Sequence, residues 1–139
     1  MQIKLTIPVI LISTWLLPVQ ALAHHSVTAE YDTTVGKTIE GVVTRVWYRN
    51  PHVRYYLAVK NEQGKDVIWN THGHNLGMLH RMGWNKDTIK VGDKVTMTGD
   101  SSRKGLPKIF IRTVMLADGT VMKNGPVELD ANAPAELRE

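Results

Sequence analysis

The sequence predicts a mostly β protein, a small OB-like antiparallel barrel, closed or partly open, with one short helix, following a cleaved signal peptide. Three observations predict it. Short runs rich in β-branched and aromatic residues recur, separated by Gly, Asn and Asp turn signals. One helical spacing, Leu76, Leu79 and Met82, interrupts them. The chain has 139 residues, enough for one domain with its own core, and closing the sheet removes the edges that short strands expose. An open antiparallel sheet or a small sandwich is the alternative.

The first 23 residues have the three parts of an export signal. Lys4 supplies the charge, Ile7 to Val19 an apolar stretch, and Ala21-Leu22-Ala23 an A-x-A cleavage site. Pro8, Ser13, Thr14 and Pro18 interrupt the apolar stretch, which is too short for a comfortable membrane span. The expected cut between Ala23 and His24 places the mature protein in the periplasm or outside the cell, with no stable span after cleavage. The mature chain then begins His24-His25-Ser26. The expected organisation is signal peptide 1–23, N-terminal arm 24–36, barrel 37–122 and disordered tail 123–139.

Thr38 to Tyr48 reads as the first strand, and apolar residues on both parities at Val42 and Val43 predict a bulge. Asn50-Pro51 ends it. Val53, Tyr55, Leu57 and Val59 alternate with Arg54, Tyr56, Ala58 and Lys60, a half-buried strand. Asn61 to Gly64 is a hairpin turn, and Asp66 to Asn70 returns. Thr71-His72-Gly73-His74 is a polar break. Asn75 caps a helix over Leu76 to Met82 that Gly83 ends. A strand follows the Gly92-Asp93 turn, and another runs from Lys108 to Leu116. Asp118-Gly119 predicts a type I′ turn into a short last strand through Met122. From Lys123 onward Pro, Ala, Asn and Glu dominate without periodicity.

Ala23 to Ser26, Gly41-x-Val43, Asn50-Pro51-His52, Trp69, Arg81-x-Gly83-Trp84, Gly92-Asp93-x-Val95 and Ala117-Asp118-Gly119 form a combination. It resembles a family of small exported bacterial proteins of unknown function, over nearly all of the mature domain. The resemblance implies fold and export and no settled activity. Where that family usually has a carboxylate and a Ser-Pro pair after the tryptophan, this chain has Thr71-His72-Gly73-His74.

Formal net charge is +4, with basic and acidic residues interspersed, so no nucleic-acid partner is expected. Cysteine is absent, which excludes disulfides and thiolate metal sites. No nucleophile elbow, phosphate loop or H-E-x-x-H motif occurs, so the chain is read as a non-enzyme, with a small copper redox enzyme as a third reading.

All six histidines lie in the mature chain. A terminal His24 offers its α-amine and its ring Nδ1 to one metal. With an amine pKa of about 7.7–8.0 and a third imidazole, this is a nitrogen set suited to tetragonal copper(II). His52, stiffened by Pro51, is the first choice for the third ligand. His25, His72 and His74 are auxiliary, the last two on one side of an extended segment by their spacing, and His80 faces solvent. The competing reading makes His52 a turn cap bonded to backbone, His72 and His74 a solvated loop, and the methionines core residues rather than copper(I) ligands. A second function class is a metal-free OB-like module for a peptide, glycan or protein partner, with Trp47, Tyr48, Tyr55 or Tyr56, and Trp84 at the barrel rim.

Overall fold

The computed structural model describes residues 27–125. The expected cleavage site, His24 and His25 lie outside the described residues. In order, the elements are α1 (Val27–Glu30), β1 (Tyr31–Trp47), β2 (Arg54–Lys60), β3 (Asp66–His72), α2 (Leu76–Arg81), β4 (Lys94–Ser102), β5 (Lys108–Met115) and β6 (Val121–Lys123).

β1 serves two neighbours. Tyr31 to Val42 pairs with β4, and Val42 to Trp47 pairs with β2. β2 pairs with β3 and β4 with β5, all antiparallel. β3 then meets β5 in parallel through Asn70–Lys108, Thr71–Ile109 and His72–Phe110. The ring β1-β2-β3-β5-β4 is an OB-like barrel, and β6 adds a strand along β5. Its interior is filled by alternate residues of every ring strand, among them Val43, Leu57, Met97 and Ile109, capped by Leu79 of α2 and by Trp84.

The register of β1 on β2 shifts between Val43 and Arg45. Thr44 is the extra residue, and its hydroxyl donates to the Tyr56 carbonyl at 3.1 Å. The expected inward-facing switch is therefore a bulge. It leaves Val43 1% exposed while Arg45 and Trp47 turn outward. Both short hairpins close alike. Gly64 N–H donates to the Asn61 carbonyl at 2.9 Å, and Gly119 N–H to that of Leu116 at 3.0 Å. Only glycines have positive φ among the described residues, Gly64 and Gly119 included. Asp118 therefore does not take the type I′ conformation. The turn is type I followed by a glycine bulge, because the aspartate carboxylate instead accepts from Thr120 N–H at 2.8 Å.

Three boundaries differ from expectation. β1 starts at Tyr31, so residues 31–36 join the sheet rather than an arm, and Tyr31 is 1% exposed against Phe110. β3 continues through Thr71 and His72, because the Thr71 hydroxyl donates to the Tyr55 carbonyl at 2.9 Å and β5 pairs with the segment. Lys123 lies on β6 and Asn124 is buried, so the fold extends past the expected start of the tail. The helix is as expected. Asn75 Oδ1 accepts from Met78 N–H at 2.9 Å, and Gly83 has φ of +84° just beyond its end.

Candidate functional site

Four of the six histidines are among the described residues, and three lie at one end of the barrel. Val53 N–H donates to the His74 carbonyl at 3.2 Å, and Gly73 N–H to the Val53 carbonyl at 2.8 Å. The β2–β3 ladder thus continues beyond the strands and carries His52, His72 and His74 side by side. His80 is exposed on α2, its ring 6.1 Å from that of Tyr48.

His52 Nδ1 lies 3.1 Å from the Gly73 carbonyl oxygen. A carbonyl only accepts, so Nδ1 is the donor, and the tautomer this selects in a neutral ring has its lone pair on Nε2. The backbone hydrogen bond that sequence reasoning set against metal ligation is present. It is also the contact that orients a metal-binding imidazole. His74 sits edge-on to Phe110 at 5.1 Å, and its backbone N–H donates to Asn124 Oδ1 at 3.1 Å. Burial, with His52 nearby, holds its ring below the usual histidine range.

His72 faces Arg54 across β2 and Phe110 across β5. Its ring meets that of Tyr31 edge-on at 5.7 Å, and its Nε2 is buried without a hydrogen-bond partner among the described residues. Burial first, then the Arg54 charge, brings its pKa down to about 4. It is a neutral imidazole at physiological pH.

His72 forms part of the wall of a recess of about 470 Å³ whose other walls include Ala29, Glu30, Arg54, Arg103 and Lys108. The recess exists because α1 is fastened to the β4–β5 loop. Arg103 Nε donates to the Thr28 carbonyl at 2.8 Å, Arg103 N–H to the Glu30 carbonyl at 3.1 Å, and Lys108 pairs with Glu30. Lys108 holds the Glu30 carboxyl below its ordinary range. Four cations against one carboxylate, counting Lys104 on the rim, make the recess electropositive.

No three His, Asp or Glu side chains among the described residues converge as a metal site. Of the expected rim aromatics, Trp84 is 2% and Tyr55 1% exposed, so both belong to the core, and Trp84 Nε1 donates to the Lys123 carbonyl at 2.7 Å. Trp47 stays at the surface, 37% exposed. Met97 is in the core, Met82 and Met122 pack against it, and Met115 is exposed. Sequence reasoning missed Glu30, Tyr31, Arg54 and Lys108. Arg54 was legible as an outward position of an alternating strand. Glu30 and Lys108 are distant in sequence, and no local pattern joins them.

An electropositive, histidine-bearing end on an OB-like barrel defines the class of protein. The chain belongs to a family of unknown function, DUF6152, whose model matches residues 13–109. No curated protein matches it. Solved structures similar to it include two of the mitochondrial single-stranded DNA binding protein Rim1 of S. cerevisiae. One has 14% identity and a TM-score of 0.45, covering 66% of this chain and 96% of that one. The other, labelled with selenomethionine, has 13% identity and a TM-score of 0.44, covering 66% and 97%. Among the described residues no helix is long and apolar enough to cross a membrane.

Proposed function

We propose that the protein is exported, is cleaved before His24, and binds copper(II) through the amine and ring of that histidine, with an imidazole from the end of β3 as third nitrogen. The observation that carries the reading is the His72 Nε2, buried without a partner in a wall of the recess. Buried polar atoms are normally satisfied, and an orphan calls for a missing ligand or water. His24 lies three residues before Val27, so their Cα atoms are within about 11 Å of each other. Ala29 and Glu30, just beyond, line the recess. His52, with a free Nε2, and His74 are further donors within the same end, and His25 follows the terminal residue. Arg54 opposes a divalent cation here, whereas Lys108 is offset by Glu30.

The test is an intact native mass of the exported protein with and without one equivalent of copper(II). A mass beginning at His24 with copper retained is expected. One glycine added before His24 converts the amine to a peptide nitrogen and should abolish retention. Arg54→Gln should strengthen it. Equal retention by the extended form overturns the reading.

The electropositive recess also favours a second reading, a metal-free periplasmic binding module for an acidic group of a peptide, glycan or protein partner. That reading requires partner capture to survive replacement of every histidine.

A further inference from the structure

The outer face of β1–β2–β3 carries a pattern of which the two readings use only Arg54 and His72. Cross-strand register arranges it in three rows. Val42, Ala58 and Ile68 form the first, Arg45, Tyr56 and Asn70 the second, and Trp47, Arg54 and His72 the third. The first row is apolar and open to solvent, with Val42 43% and Ile68 49% exposed. The other two gather arginines around an indole. Arg49 lies 4.1 Å from the centre of the Trp47 ring, and Arg45 lies 5.7 Å from that ring and 5.3 Å from that of Tyr56. Arg54 is the cross-strand neighbour of Trp47.

None of the guanidiniums of Arg45, Arg49 and Arg54 makes an ion pair with, or donates a hydrogen bond to, a described residue, although six other cations are paired. Like charges gathered on one face repel, and the contacts with the rings offset part of that repulsion. Stacking on a ring satisfies the face of a guanidinium and leaves its edge donors free. The rings hold two arginines in place with those donors unspent.

We propose that this face docks on an anionic lipid surface, Arg45, Arg49 and Arg54 meeting lipid phosphates while Trp47, Val42 and Ile68 enter the interfacial layer. Charge complementarity carries the choice, and the apolar row narrows it. A free phosphate would gain nothing from Val42 and Ile68. A single-stranded nucleic acid would need open aromatic faces for its bases, and here guanidiniums lie over Trp47 and Tyr56. An indole beside exposed aliphatic groups and arginines is the composition that sits between lipid headgroups and acyl chains.

Each basic residue near an anionic leaflet strengthens binding by about fivefold. Co-sedimentation of the mature chain with phosphatidylglycerol-containing vesicles should therefore show binding that salt weakens and that pure phosphatidylcholine vesicles do not give. Arg45→Gln/Arg49→Gln should lower the partition coefficient by about 25-fold, with its thermal midpoint unchanged. Lys86→Gln/Lys123→Gln removes the same charge from the loop after α2 and from β6, and should lower it far less. The proposal is overturned if the wild-type chain ignores the anionic vesicles, or if both variants lose binding equally, which would reduce the effect to net charge. It is also overturned if an oligothymidylate strand binds in preference to the vesicles. Copper is absent throughout, so failure here leaves the metal reading standing.

Discussion

His72 is a histidine kept uncharged by its surroundings. Burial and Arg54 bring its pKa from 6.5 in a model peptide to about 4. Between those values the unfolded chain binds a proton that the folded chain refuses. Stability from this residue is therefore complete above about pH 6.5 and is lost as pH falls toward 4. In metal-free protein, denaturant midpoints measured from pH 7 down to pH 4 should fall for the wild-type chain and fall less for His72→Gln. Parallel curves would show that His72 is not the titrating group. The same residue illustrates what a sequence can say about a site. The His72–His74 spacing placed both rings on one side of an extended segment. The Asn61–Gly64 hairpin sets Arg54 opposite His72, but nothing local to residues 71–74 announced Tyr31, which the closed ring brings against the His72 ring.

The elements were legible wherever local chemistry decides them. The alternation of β2, the Asn75 cap and the glycine turns each act over a few residues, and each is present. What was not legible is where pairing overrides composition. The segment before Gly36 has no periodicity, yet it is strand because β4 is long enough to pair with it. A tighter case is Gly99. The β4–β5 register shifts between Thr98 and Gly99, and a Cβ at Gly99 would collide with the backbone carbonyl of Phe110. Backbone cannot yield as a flexible side chain can. Gly99→Ala should destabilise the fold by about 1–3 kcal/mol, read from chemical denaturation. Gly36→Ala, whose Cβ meets nothing within 4 Å, serves as the control and should cost much less. Equal losses would mean that the contact with the Phe110 carbonyl does not set the cost.

At the scale of the whole molecule, ring closure rests on few groups. β3 and β5 share three paired positions, far fewer than β1 shares with β4. Asn124, just past β6, reinforces that seam from outside. Its Nδ2 donates to the Ile111 carbonyl at 2.6 Å, its Oδ1 accepts from His74 N–H at 3.1 Å, and its own N–H donates to the Arg112 carbonyl at 2.9 Å. The side chain is 1% exposed, so no bulk water replaces those bonds. One residue thereby ties the histidine-bearing end of β3 to the middle of β5. Asn124→Ala strips two buried backbone groups of their partners, each worth roughly 1–3 kcal/mol, and should cost about 2 kcal/mol or more. Lys123→Ala, at the exposed neighbouring position, should stay within about 0.5 kcal/mol. Amide exchange separates loss at the seam from general weakening. Thr71 and Ile109, which face each other across the β3–β5 seam, should lose protection in Asn124→Ala before amides of the β1–β4 pair do. Uniform loss around the ring would show instead that the barrel opens as one unit and that Asn124 does not guard its closure.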